Sequence, residues 1–166
     1  MDGQQATQWY EQWLRAWNEQ RPEMCHDLLT TDFVLSTPTL RNAAGDLSGP
    51  SAAADYIRYV VKMYPDLVWE MTGPPMLAAN ASRVAFTWKG TGHFLGRMDP
   101  PGIDGNGNAF EFTGVEVFDF RGGRACHLDV SYDLLGLLKQ TGVLGAKRTE
   151  RPRTSPTPRA DQTRKP

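Results

Sequence analysis

Residues 123–142 read GRACHLDVSYDLLGLLKQTG, a strand pattern that runs directly into a short apolar helix. Because successive strand residues point to opposite faces, two rows of side chains are expected here. The polar row holds His127, Asp129, Ser131 and Asp133, and the apolar row holds Leu128, Val130 and Tyr132. A histidine and carboxylates in one row can line a small-molecule cavity and move protons there, or they can form the solvated outer face of a sheet.

The composition is that of one globular domain without a membrane span. The chain has 166 residues, of which 40% are hydrophobic. No apolar run approaches the roughly 18 residues that a membrane helix needs. The first residues lack the basic and apolar regions of a secretory signal, which predicts a cytoplasmic protein. In that compartment Cys25 and Cys126 are expected to be reduced thiols.

The charge divides the chain into two unlike parts. Residues 146–166 hold seven Lys or Arg against two acids, whereas residues 1–145 have a net charge of −6. The basic part is rich in proline and has no large apolar side chain, so we predict a folded domain over 1–145 and a disordered tail over 146–166. The acidic body argues against a groove that binds nucleic acid.

Helical patterns come first along the chain, and strand patterns follow. The first helix carries an apolar stripe of Trp9, Tyr10, Trp13, Leu14 and Trp17. Another helix is predicted to begin after Gly49. Period-two alternation predicts strands near residues 67–72, 83–93, 110–120 and 125–132. Helices followed by strands indicate an α+β fold with an antiparallel or mixed sheet.

Glu116 is the one carboxylate on the apolar row of its strand, where it shares the parity of Phe110, Phe112 and Phe118. A buried carboxylate needs a hydrogen-bonding partner or a raised pKa. We therefore expect Glu116 to lie at an edge of the sheet or to point outward.

Two further features flank the predicted strands. Residues 94–108 are rich in Gly, Pro, Asp and Asn and predict a loop at the rim of a cavity, with His93 at its mouth. Cys126 and His127 are neighbours on a strand and point to opposite faces, so together they could hardly bind one zinc ion. No metal site is predicted.

An ordered set of short motifs resembles a known family. The motifs are Ala16-Trp17-Asn18, Asp32-Phe33-Val34, Tyr64-Pro65-Asp66-Leu67, residues 84–93, Phe112-Thr113-Gly114-Val115 and residues 132–142. Together they are similar to the SnoaL-like polyketide cyclases. That family belongs to the nuclear-transport-factor-two-like superfamily, with ketosteroid isomerases and limonene epoxide hydrolases as relatives.

The resemblance implies a fold, a reaction and a partner. The implied fold is a cone-shaped α+β roll, in which a curved mixed or antiparallel sheet and N-terminal helices enclose one apolar pocket. The implied reaction is an intramolecular aldol closure of a bulky apolar substrate, for which an aromatic polyketide is one candidate. The reaction needs neither a metal nor a cofactor. Apart from the resemblance, we expect a homodimer through the exposed face of the sheet, and no nucleic acid or membrane partner.

By its strand and offset, the catalytic role of the family corresponds to Asp129, or to His127 beside it. We predict Asp129 as the base that forms the enolate, and His127 or His93 as the donor that stabilises the oxyanion and returns the proton. The predicted substrate-binding residues are Trp13, Trp17, Tyr56, Trp88 and Asp133, of which Asp133 has the alternative role of holding the final helix.

Two other functions remain open from the sequence. An aspartate and a water molecule in the same pocket could act as an epoxide hydrolase or a hydratase. The superfamily also includes non-catalytic ligand-binding and dimerisation modules, because a fold does not determine a function.

Overall fold

The structure is a computed structural model that describes residues 1–41, 45–80 and 82–144. The predicted domain boundary at 145 and the predicted tail over 146–166 lie outside the described residues. The α-helices are α1 (Gly3–Asn18), α2 (Cys25–Leu28), α3 (Pro38–Arg41), α4 (Gly49–Met63) and α5 (Leu134–Gln140), with a 3-10 turn over Pro22–Met24. The strands are β1 (Leu29–Ser36), β2 (Leu47–Ser48), β3 (Val68–Met71), β4 (Met76–Leu77), β5 (Arg83–His93), β6 (Arg97–Met98), β7 (Ile103–Asp104), β8 (Ala109–Arg121) and β9 (Arg124–Tyr132).

The first helix, α1, begins at a capping box. The backbone N–H of Gln5 donates to the Asp2 carboxylate at 2.8 Å, and the backbone N–H of Asp2 donates to the Gln5 side chain at 2.9 Å. Two backbone donors that have no partner inside the helix are satisfied in this way. The helix buries the predicted aromatic stripe, including Trp9, Tyr10 and Trp13, in the main core.

The sheet is mixed, as predicted. Within the described residues its main path runs β2-β1-β9-β8-β5-β3, and β4 pairs with β5. Strand β1 is parallel to β9, whereas the other pairs of this sheet are antiparallel. The short strands β6 and β7 form a separate hairpin in the predicted loop. The predicted α+β class, with a curved mixed sheet and N-terminal helices, is confirmed. No helix in the described ranges is long and apolar enough to cross a bilayer.

The two central strands determine which side chains face the helices. In β9, Leu128 and Val130 are buried, whereas Asp129 between them is partly exposed. In β8, Glu116 lies opposite Val130 on one side and Phe86 of β5 on the other. The apolar row of β9 and the row of Glu116 therefore share the inner face of the sheet.

Gly114 in the middle of β8 makes room for an indole ring. A Cβ atom at this position would overlap the ring of Trp88 and would lie 2.6 Å from the carbonyl oxygen of Ser131. The Trp88 ring therefore occupies the space that a side chain on β8 would otherwise fill, and it packs edge-on against Trp69 and Phe112.

We predict that Gly114→Ala destabilises the protein by about 1–3 kcal/mol, because the added methyl group forces Trp88 or the backbone of β9 to move. Strand propensity alone would predict that this variant stabilises the protein, since glycine in the interior of a strand is ordinarily less stable than alanine. Gly3→Ala is the control, because nothing lies within 4 Å of its Cβ position. Urea unfolding measures both variants, and equal stability of the two would contradict the packing argument.

Candidate active site

One apolar cavity lies between helices α1 and α4 and the inner face of the sheet. Its volume is about 70 Å³. This is smaller than the roughly 300–1,000 Å³ of typical small-molecule sites, so a bulky ligand needs the wall to move outward. Its walls are the residues Trp13, Trp17, Leu35, Thr37, Tyr56, Val60, Tyr64, Leu67, Trp69, Trp88, Phe110, Phe112, Glu116, Leu128, Val130, Tyr132 and Leu137.

Glu116 is the one carboxylate among the described residues that line this cavity. Its residue surface is 9% exposed. The Tyr10 hydroxyl donates to Oε2 at 2.7 Å, and the Trp13 indole N–H donates to Oε1 at 3.4 Å. Burial raises the pKa of Glu116 from 4.5 to about 7, although the two hydrogen bonds oppose the shift. Near neutral pH this carboxyl group can therefore either accept or donate a proton.

The position of Glu116 corrects the sequence prediction. We expected an edge or outward position, but β8 pairs on both sides, with β5 and with β9, and Glu116 lies on its inner face. The signal was present in the sequence, because Glu116 has the parity of three buried or half-buried phenylalanines. The sequence does not show that two side chains of α1, more than a hundred residues earlier, donate hydrogen bonds to Glu116.

Tyr10 holds the Glu116 carboxylate from behind the cavity. Its side chain is fully buried, and its ring stacks on Phe86 with centroids 4.0 Å apart and planes 4° from parallel. Burial and the adjacent Glu116 raise the pKa of Tyr10 well above its ordinary value, so the hydroxyl keeps its proton and remains a donor. Tyr10 is therefore a positioning residue.

A second group of polar atoms lies on the β1 side of the cavity. Thr37, Tyr56 and Tyr132 contribute hydroxyls to the wall, and Thr39 lies behind them. The Thr37 and Thr39 hydroxyls lie beside the Tyr56 hydroxyl and favour its charged form, and the Thr39 and Tyr132 hydroxyls are hydrogen-bonded to each other. Sequence reasoning identified Tyr56 only as part of the aromatic wall and did not identify the other three.

The four residues of the predicted aromatic wall lie at this cavity, and their role in binding a substrate stays a prediction. Trp13, Trp17, Tyr56 and Trp88 all line the cavity. Trp13 packs edge-on against Trp17, and Trp17 packs edge-on against Tyr56. The helical spacing of α1 puts Trp13 and Trp17 on one face, and the docking of α4 and β5 adds Tyr56 and Trp88 to the same wall.

The predicted positions of Asp129 and His127 are wrong. Both side chains lie on the outer face of the sheet, 38% and 35% exposed. His127 Nδ1 is 3.5 Å from Asp119 Oδ2, and Asp129 Oδ2 is 3.8 Å from the guanidinium of Arg83. The reason is hydrophobic burial: the alternate row of Leu128 and Val130 occupies the inner face, so the polar row is turned outward.

His93 and Asp133 also lie outside the cavity wall. His93 ends β5 with its side chain half exposed, and its Nδ1 lies 2.6 Å from Asp66 Oδ2. Asp133 is exposed and accepts a hydrogen bond from the backbone N–H of Gly136 at 2.8 Å, which caps α5. The structure thus places Asp133 at the start of α5, where its alternative role of holding the final helix would put it, and away from the cavity wall.

The described residues contain no cluster of three or more His, Cys, Asp or Glu that could hold a metal ion. The chemistry of the cavity wall is thus that of one carboxyl group, a few hydroxyls and an aromatic enclosure.

Comparisons with known proteins agree with this architecture. The model of the SnoaL-like polyketide cyclase family matches residues 7–141. TsrD from Streptomyces laurentii is 22% identical, with a TM-score of 0.71 over 86% of this chain and 98% of its own. A protein from Acidithiobacillus ferrooxidans, described as a candidate polyketide cyclase, is 19% identical, with a TM-score of 0.71 over 84% of this chain and 95% of its own.

AclR from Streptomyces galilaeus, described as a candidate hydroxylase, is 18% identical, with a TM-score of 0.68 over 85% of this chain and 87% of its own. At such identities the likeness of these structures shows the fold alone. Among curated proteins, none is significantly similar to this chain.

We predict that Tyr10→Phe raises the pKa of Glu116 further above about 7, because the variant removes a hydrogen bond that favours the carboxylate. Carbon-13 NMR of labelled glutamate carboxyls measures the titration. Tyr59→Phe is the control, since the Tyr59 hydroxyl donates to Pro100 rather than to Glu116. A fall in the pKa of Glu116 in Tyr10→Phe would show that the hydroxyl does not stabilise the charged form.

Glu116→Gln is expected to remove a pH dependence of the free energy of unfolding. The pKa of Glu116 rises from 4.5 to about 7 in the folded protein, so this state binds the proton more tightly than the unfolded chain does. The free energy of unfolding should therefore fall by about 3 kcal/mol as the pH rises from below 4.5 to above about 7, and it should then level off.

Urea unfolding across the same pH range compares the wild type with Glu116→Gln and with Glu111→Gln. Glu111 is exposed on the same strand, and its variant should keep the pH dependence of the wild type. Parallel curves for the wild type and Glu116→Gln would contradict a buried Glu116 that binds a proton near neutral pH.

Proposed function

The chain belongs to the SnoaL-like polyketide cyclase family, and from this membership we propose that it catalyses proton transfer next to a carbonyl group of a bulky apolar metabolite. The product is formed by isomerisation or by intramolecular aldol closure, and an aromatic polyketide is the substrate class that fits the family best. The observation that carries the proposal is the carboxyl group of Glu116 inside an apolar cavity.

Glu116 is the proposed general base. A base works best when its pKa is near the working pH, and burial raises the pKa of Glu116 to about 7. The carboxylate faces few competing water molecules because the wall around it is mostly aromatic and aliphatic. A carbon between two carbonyl groups is already acidic, so one positioned carboxylate is enough to remove its proton.

The aldol closure balances with Glu116 alone as the proton carrier. The carboxylate takes the proton from the acidic carbon and leaves an enolate. The enolate carbon forms a bond to the carbon of a second carbonyl group in the same substrate, whose oxygen becomes an alkoxide. That alkoxide takes the proton back from Glu116, which restores the carboxylate. A cavity that folds the substrate replaces a chance encounter of the two carbons with orientation.

The rings of the wall support an aromatic or fused-ring substrate. Trp13, Trp17, Trp69, Trp88 and Phe112 surround the cavity. Their flat faces and edges can stack against an aromatic ligand, and each such contact adds about 0.5–1.5 kcal/mol beyond the buried area.

The homodimer and the cytoplasmic location that were expected from the sequence stay predictions.

We predict that Glu116→Gln abolishes turnover while the protein still folds and binds ligand. The probe is an aromatic cyclic ketone, tetralone, in heavy water, and NMR follows the exchange of hydrogens next to its carbonyl group. The exchange rate should fall by about a hundredfold or more, as expected for the loss of a general base. Asp129→Asn is the matched control and should exchange at the wild-type rate, because Asp129 lies on the outer face.

Retained exchange in Glu116→Gln, or its loss in Asp129→Asn, would remove Glu116 from the mechanism. Binding of tetralone by the wild type without any exchange would favour the alternative of a non-catalytic ligand binder. An epoxide hydrolase or hydratase would instead transfer labelled oxygen from water into its product, whereas enolisation and aldol closure add no oxygen.

A further inference from the structure

The hydroxyls of Thr37, Thr39, Tyr56 and Tyr132 form a connected group, here called the hydroxyl cluster. They come from the segment after β1, from α4 and from the end of β9. Three of the four residues line the cavity, and their hydroxyls interrupt a wall that is otherwise mostly hydrocarbon. Neither the family motifs in the sequence nor the proposed base accounts for polar groups at this place, so the cluster needs a separate explanation.

The cluster faces Glu116 across one strand. Ser36 pairs with Asp129 in the parallel pair of β1 and β9, so Thr37 continues alongside Val130. Val130 in turn lies opposite Glu116. Neighbouring strands are about 4.8 Å apart, which puts the backbones of Thr37 and Glu116 about 10 Å from each other on one inner face. The negative charge of Glu116 also acts on the Tyr56 hydroxyl, consistent with their closeness.

This arrangement suits a carbonyl group. The hydroxyl cluster and Glu116 line one cavity with a single strand between them, so one bound carbonyl group and its neighbouring carbon can contact both. The oxygen would then lie against the hydroxyls, and the acidic carbon would lie against the base.

The hydrogen bonds of the cluster leave a donor available. The Thr39 and Tyr132 hydroxyls share one hydrogen bond, and the Tyr56 hydroxyl lies beside those of Thr37 and Thr39. Each of the four hydroxyls has one proton to donate, and three contacts inside the cluster use at most three of these protons. The backbone N–H of Leu40 donates to the Thr37 hydroxyl at 3.3 Å, which occupies an acceptor site and leaves the Thr37 proton unused by that contact.

The hydroxyls stay protonated at neutral pH. Burial raises the pKa of Tyr56, and burial also raises the pKa of Tyr132. A donor that is connected to further hydroxyls can strengthen its bond when charge develops on an oxygen, because hydrogen bonds in a chain polarise one another.

We propose that the hydroxyl cluster is the carbonyl-binding site of this cavity and donates a hydrogen bond to the oxygen that becomes negative in the reaction. The proposal rests on the proposed function, because it gives the partner of the base Glu116. It replaces the predicted donors His127 and His93, whose side chains lie elsewhere. It also sets the substrate's orientation: the reacting oxygen lies on the β1 side and the carbon that loses a proton lies toward β8.

The test uses tetralone labelled with carbon-13 at the carbonyl group, and tetralin as its hydrocarbon counterpart. In the wild type, the infrared carbonyl band of bound tetralone should lie below its position in an apolar solvent, because a donor bonds the oxygen. In Tyr56→Phe the band should return toward the apolar position, and hydrogen exchange should slow by at least about tenfold. Tyr59→Phe, on the same helix but outside the cavity wall, should change neither.

The two proposals fail in different ways. Glu116→Gln should lose exchange and keep the lowered carbonyl band; retained exchange there would overturn the base and leave the carbonyl site standing. An unshifted band in the wild type, or the same band in the wild type and Tyr56→Phe, overturns the carbonyl site. Failure of the wild type to bind tetralone more tightly than tetralin overturns it as well. If Tyr56→Phe does not fold, Tyr132→Phe is measured in its place, with the same expected shift.

Discussion

The burial of one carboxyl group beneath α1 is the constraint on which the other features of the cavity depend. An ionised carboxylate removed from water is costly unless donors face it. The Tyr10 hydroxyl and the Trp13 indole supply those donors, one to each oxygen of Glu116. The same contacts join the first helix to the central strand of the sheet. One interaction thus positions the carboxyl group and joins α1 to the sheet. Burial raises the pKa of Glu116, and the two hydrogen bonds oppose that shift.

The cavity itself is a product of aromatic packing around a missing side chain. Gly114 lets the Trp88 ring lie against β8, and Trp88 contacts Trp69 and Phe112 edge-on. Protein interiors are ordinarily close-packed, so a hollow among these rings is a specific feature of this fold. The hydroxyls of Thr37 and Tyr56 then give this space a polar side opposite Glu116. An apolar cavity with a carboxyl group on one side and hydroxyl donors on the other suits the formation of an enolate.

The two faces of β9 show where sequence reasoning succeeded and where it failed. Alternation correctly separated the row of His127 and Asp129 from the row of Leu128 and Val130. Alternation could not tell which row faces the cavity, because the same alternating pattern results whichever face of the strand is turned inward. Conversely, Glu116 was assigned outward because a lone carboxylate looked too costly to bury, and its donors come from a distant helix.

The sequence by itself determined the class of fold, the order of the elements and the aromatic character of the wall. These follow from local periodicity, which is written into neighbouring residues such as Trp13 and Trp17. Only the tertiary structure decided that Glu116, rather than Asp129, faces the hollow, and that hydroxyls from the segment after β1, from α4 and from β9 meet opposite it. Such placements depend on the register between strands and on helix docking, which join residues far apart in the chain.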